Sequence, residues 1–146
     1  MSVLGIVREY LKGFPQLSGK RVDIDCLANQ AGRYSVDSEP TETVVTRYLD
    51  GSSVRRLLFT VASREYFGDD IQSQNENIEF FERFEAWLER QALFGKLPQL
   101  GAGRQARSLR ASSSAHPVQV ADNGTARYQM ICELIYLQEA NYHETD

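Results

Sequence analysis

The segment from Thr125 to about Gln138, TARYQMICELIYLQ, alternates residue by residue. Tyr128, Met130, Cys132, Leu134 and Tyr136 fall on one side. Arg127, Gln129, Ile131, Glu133, Ile135 and Leu137 fall on the other, which turns apolar only toward its end. A period of two with many aromatic and β-branched residues specifies a strand. One this long needs partners along its whole length, because a two-stranded ribbon alone is marginal in water.

A second long strand supplies such a partner. Val44 to Leu49 is rich in β-branched and aromatic residues, and Asp50-Gly51 follows it. Glycine tolerates the positive φ of tight hairpin turns, so this dipeptide predicts a hairpin. The return strand runs from Ser53 to about Glu65. Leu57, Phe59 and Val61 share one of its faces, and Val54, Leu58 and Ala62 the other. With both faces partly apolar, the strand is expected to be central, or to have one face covered by another chain.

Between the two ribbons lies the strongest helical pattern. Ile78, Phe80, Phe81, Phe84, Trp87 and Leu88 form an apolar stripe, with Glu79, Glu82, Arg83, Glu85, Glu89 and Arg90 opposite. Ser73-x-x-Glu76 reads as a capping box at its start. Gly95 and Pro98 end it. The aromatic stripe reads as core rather than a cofactor site. A short amphipathic helix is predicted over residues 2–12, stopped by Gly13 and Pro15.

The remaining signals are weaker. Arg21 to Leu27 alternates, with Val22, Ile24 and Cys26 inward and Arg21, Asp23 and Asp25 outward. Asn29 to Glu42 is polar and turn-rich, with a short extended piece at Tyr34–Val36. Gly68-Asp69-Asp70 breaks the ribbon, Leu100–Arg104 is a loop, and Arg107 to Ser114 is a strand. Pro117 and Asp122-Asn123-Gly124 mark turns, and the tail after Ala140 is polar. The order predicts a single α+β domain over residues 1–146: a mostly antiparallel sheet with two helices on one face. One such layer covers only one face of a sheet. Apolar residues left over, among them some of Leu57, Phe59, Val61, Ile131 and Ile135, then need another partner.

Composition narrows the function classes. The net charge of −4 opposes the counterion-release term that drives tight DNA binding. No early apolar run has signal-peptide form, and no stretch approaches the ~20 apolar residues of a membrane span. The expected compartment is a cytoplasm. Cys26 and Cys132 suit no metal or redox motif; small buried hydrophobes is one reading and a mutual disulfide the other. Asn123-Gly124-Thr125 matches a glycosylation acceptor but reads as a turn.

The chemistry-bearing residues are sparse. His116 follows Ser112-Ser113-Ser114, yet no nucleophile elbow or oxyanion-hole motif accompanies it. His143 lies in the tail. Asp23 with Asp25, and Asp69 with Asp70, read as a solvated strand face and a helix-leading turn rather than metal or acid–base pairs. No cofactor, metal or catalytic set is expected. Arg104, Arg107 and Arg110 form one local basic cluster and Arg55 with Arg56 another. These five, with Tyr66 and Phe67, are the candidate interface residues; Tyr48 and Tyr136 are further aromatic anchors near strand ends.

Several ordered segments carry a resemblance. YSVDSEP, VTRYLDGSSVRRLLFTVASREYFG, ENIEFFERFEAWLERQ, GKLPQL and TARYQMICELIYLQE resemble, in sequence, parts of small prophage proteins labelled minor capsid proteins. That family looks like the tail terminators of long-tailed bacteriophages. The likeness runs from about Val22 to Glu139. It implies an α+β sandwich, several copies of which, most often six, form a ring on the head-proximal end of the tail tube. The ring would stop polymerisation of the major tail tube protein and present a surface to the head–tail connector. The implied location is the virion tail, with assembly in the host cytoplasm. The family has no catalytic motif to carry over. The alternatives are a head–tail connector or neck protein, a small hydrolase using His116, and a host-encoded binding module.

Overall fold

The fold is that of a computed structural model, which describes residues 2–66, 71–120 and 123–141. In chain order the elements are α1 (Val3–Leu11), β1 (Val22–Ile24), β2 (Arg33–Glu39), β3 (Val44–Arg47), β4 (Ser53–Tyr66), α2 (Ile71–Leu93), β5 (Arg104–Ala111), β6 (His116–Val120) and β7 (Thr125–Gln138). This is an α+β arrangement with one mixed, mostly antiparallel seven-stranded sheet.

The two long strands form its spine. β4 and β7 pair antiparallel over their whole length, from Ser53 opposite Gln138 to Tyr66 opposite Thr125. Each outer edge of this ribbon takes two shorter strands placed end to end. β2 and β3 flank β4; β6 and β5 flank β7. The parallel strand β1 extends β2. β4 is therefore central, as its two-sided apolar pattern predicts.

Both helices lie against one face. Phe59 and Val61 of β4, with Tyr128, Met130, Cys132 and Leu134 of β7, meet Val7, Leu11, Phe81, Phe84 and Trp87 in one buried cluster. Phe14, in the turn after α1, packs edge-on against Phe84 with ring centres 5.4 Å apart, and Tyr10 lies 5.5 Å from Trp87. The aromatic stripe of α2 is thus core. At the end of α2, Lys96 N donates to Gln91 O and Gly95 N to Ala92 O, with Gly95 at φ 70°. This left-handed stop satisfies two terminal carbonyls.

Four expectations need correction. The helix starts at Ile71, so Ser73 lies inside it and is not its N-cap. The strand expected over Arg21–Leu27 ends at Ile24, because Asp25 adopts φ 53°, and the alternation fails there: Ile24 and Cys26 are exposed. Cys132 is buried as expected, and both cysteines are free. β5 starts at Arg104, three residues before the strand expected at Arg107, and ends at Ala111. Pro117, read as a turn, lies within β6. β6 pairs only with β7, and an edge strand tolerates a residue without an N–H donor. Gly68-Asp69-Asp70 and the tail from residue 142 lie outside the described residues.

Candidate functional site

The helix-free face of the sheet carries charged and apolar residues together. Of the five residues some of which are expected on the uncovered face, Leu57, Phe59 and Val61 point to the helix side, and Ile131 and Ile135 lie on the open face, half-buried among ionic side chains. Register explains the arrangement. Even-numbered residues of β4 share that face with odd-numbered residues of β7, and these positions carry Val54, Arg56, Leu58, Thr60, Ala62 and Arg64 opposite Leu137, Ile135, Glu133, Ile131, Gln129 and Arg127.

The ionic contacts cross strands. Arg127 Nη2 on β7 reaches Asp37 Oδ2 on β2 at 2.7 Å. That reach passes over β4 at Ala62, since Arg127 is level with Arg64 and Asp37 with Thr60. It explains how Thr60 and Ala62 are fully buried on a face without a helix. Thr60 Oγ1 donates to Glu39 Oε1 at 2.7 Å. Asp23 accepts from Arg21 at 2.9 Å and from Arg33 at 3.3 Å; the Arg21 hydrogen bond leads in holding its carboxyl below the usual carboxylate range.

The candidate basic residues divide between the two faces. Arg56 and Arg110, from the two separate sequence clusters, meet on one carboxylate: Glu133 Oε2 lies 3.0 Å from Arg56 Nε, and its Oε1 lies 3.2 Å from Arg110 Nη2. Arg55 faces the helix side opposite Tyr136 and donates to Ser53 Oγ at 3.0 Å. Arg104 opens β5 opposite Gln138. Arg107 is exposed at the irregularity between Ala106 and Ser108. Tyr66 is exposed at the end of β4. Phe67 lies outside the described residues. Tyr136 is buried in the core and is not an exposed anchor. Sequence reasoning missed Arg33, Arg64, Arg127 and Asp37. Strand parity puts Arg56 and Arg64 on one face, but pairing with Arg33 and Arg127 depends on a register no local signal fixes.

A second feature is the hairpin arm. Tyr48 N donates to Ser52 O and Gly51 N to Tyr48 O, closing the turn with Gly51 at φ 91°. The Asp50 side chain accepts from Ser52 N and Oγ, which pulls its pKa down. Along β3 and this turn, Val45, Tyr48 and Leu49 are exposed. The arm is tied to β4 by its backbone while its apolar side chains find no cover in the chain's own core.

Among the described residues, the hydrolase alternative finds no assembled pair. His116 Nδ1 contacts the carbonyl oxygen of Ser114 at 3.2 Å, not a hydroxyl. Ser112 Oγ donates to Ile131 O and Ser113 Oγ accepts from Ile131 N, so both are tied to the β7 backbone. His143 lies outside the described residues. Asn123 Oδ1 accepts from Thr125 N and Oγ1, an Asx turn into β7. Among the described residues, no group of His, Cys, Asp or Glu side chains is placed to hold a metal, and no helix is long and apolar enough to cross a membrane. Comparison with protein-family models and with curated proteins gives no match to this chain.

Proposed function

We propose that this chain is a structural protein of a phage tail, a terminator that assembles as a ring on the head-proximal end of the tail tube. The observation that carries the reading is the hairpin arm. Val45, Tyr48 and Leu49 stand exposed on a strand and turn that the domain holds in place by backbone hydrogen bonds. None of the described residues covers these three side chains, and a second chain would bury them. The resemblance of the ribbon and aromatic-helix segments to prophage minor capsid proteins supports the same reading.

A closed ring uses a heterologous contact, in which one patch of each subunit meets a different patch of the next. The β4–β7 ribbon offers two unlike ends: the apolar arm beside Ser53, and Tyr66 at the other. On this reading the partners are further copies of the chain, the major tail tube protein and the head–tail connector. The test is tail length. Infected cells lacking the protein should make tails of uncontrolled length that do not join heads, seen by electron microscopy. Tails of normal length that fail to join heads would overturn the terminator reading in favour of a connector.

A further inference from the structure

On the helix-free face three arginines stand directly opposite one another across three strands: Arg33 on β2, Arg64 on β4 and Arg127 on β7. Like charges placed directly opposite repel. Two of them are neutralised, Arg33 by Asp23 at 3.3 Å and Arg127 by Asp37 at 2.7 Å. Arg64 has no carboxylate partner among the described residues. It is also the most enclosed of the three, with 7% of its surface exposed.

Its surroundings are rich in unused donors. Arg64 Nε and Nη1 are buried without a hydrogen-bond partner, and so are Arg33 Nε and Ser35 Oγ. Ser35 is level with Ala62, so it sits diagonally across the β2–β4 pair from Arg64 on the same face. Asp37 Oδ1 is an unsatisfied acceptor further along β2, on a carboxylate already held by Arg127 through its other oxygen. A buried guanidinium with two unpaired nitrogens and no carboxylate partner among the described residues is unfavourable. Native structures almost always satisfy such groups with something.

We propose that Arg64, with Arg33 and Ser35, forms a binding site for one oxyanion, a carboxylate or a phosphate. A planar guanidinium meets two oxygens of either group along one edge, Nε with Nη2 or Nη1 with Nη2, so each of the unpaired Arg64 nitrogens would bind together with Nη2. The Ser35 hydroxyl supplies a further donor. The anion comes either free from solution or as an Asp or Glu side chain of a second copy of the chain.

The test uses the full chain, Arg64→Met and inorganic phosphate. Thermal melts are run in dilute protein at constant ionic strength, with phosphate replacing chloride. A hundredfold excess of phosphate over its Kd should raise the wild-type Tm by roughly 5–10 °C. Phosphate also stabilises proteins generally by exclusion from their surface, and Arg64→Met retains only that smaller rise. In phosphate-free buffer Arg64→Met should melt no lower than wild type, because an uncompensated buried charge is removed; that also establishes that the variant folds. A second arm follows the Arg64 Nε–Hε resonance by NMR in phosphate-free buffer as protein concentration increases. A phosphate response specific to Arg64 supports a free anion. A concentration-dependent shift without a phosphate response supports a carboxylate from a second copy. If phosphate raises the Tm of both proteins equally and concentration leaves the resonance unmoved, the site does not exist and water fills the cluster.

Discussion

Trp87 concentrates the packing of the helix layer on one side chain. It is 8% exposed and touches Tyr10, Phe14 and Phe84, with ring centres 5.5, 5.6 and 6.2 Å away. Three segments of chain therefore meet on it: α1, the turn that follows α1, and α2. Trp87→Ala should lower stability by about 3–5 kcal/mol, since truncating a buried aromatic loses transfer energy and leaves a cavity. Urea unfolding of the variant checks this, and an unchanged midpoint would place Trp87 outside the core. Glu65 makes the opposite contribution. It lies near the end of β4, and burial raises its pKa above the ordinary 4.5 more than nearby Lys20 lowers it. Its charge in turn helps burial push the Tyr34 hydroxyl up to about 12. An acid whose folded pKa is raised holds its proton more tightly in the folded state. Its contribution to stability is fully present below the unfolded pKa and is lost as pH rises through the folded value. Glu65→Gln should therefore be more stable than wild type at pH 7, with the difference fading toward pH 4. Melting curves across that range would reveal a pH-independent difference if burial of the charge is not the cause.

The elements differ in how far they could be read from sequence, and the differences have physical causes. β7 and the stripe of α2 were legible because each carries a long period set by burial against a single layer, and β4 through the Asp50-Gly51 turn that leads into it. β1 was overextended because Asp25 departs from strand geometry at φ 53°, where its carboxylate accepts from Ser38 N at 2.7 Å. That contact joins residues 13 apart and leaves no local trace. β2 runs from Arg33 to Glu39, beyond the short piece expected, because polar side chains suit its ionic face. The charged face as a whole was not legible: its partners come from β1, β2, β4, β5 and β7, and only register brings them together. The hairpin was legible through one residue. Gly51 sits at φ 91°, and a Cβ there would come within 3.2 Å of Ala140 Cβ. Gly51→Val combines left-handed strain on a β-branched residue with that contact, and should cost well over ~1 kcal/mol. Hydrogen exchange should show the loss concentrated at the Tyr48–Ser52 closure. Uniform loss across the sheet, or none, would argue against strain at this turn.

At the scale of the whole molecule, two surfaces of opposite character remain after the core is filled. On the ionic face of the sheet, long ion pairs hold small residues under cover, and the unpaired donors around Arg64 are what it leaves unsatisfied. The arm is different, because three of its exposed residues, Val45, Tyr48 and Leu49, are large and apolar. Leu49 is the clearest case: fully exposed at the turn, it has nothing in the chain to lose by substitution. Leu49→Glu should leave the melting of the isolated chain within about 0.5 kcal/mol of wild type, the usual range for surface changes. On the ring reading it should nevertheless abolish function, since a buried apolar anchor replaced by a charge weakens an interface by about tenfold or more. Small interfaces form only where several act together, because each must offset the entropy of association. Dilute protein is therefore expected to stay monomeric in both forms, and the difference should emerge on tail tubes. Tubes mixed with wild-type protein should stop growing, and tubes mixed with Leu49→Glu should lengthen as though none had been added. Equal capping by the two proteins would remove the arm from the ring contact and leave the ribbon's other end, at Tyr66, as the surface to examine.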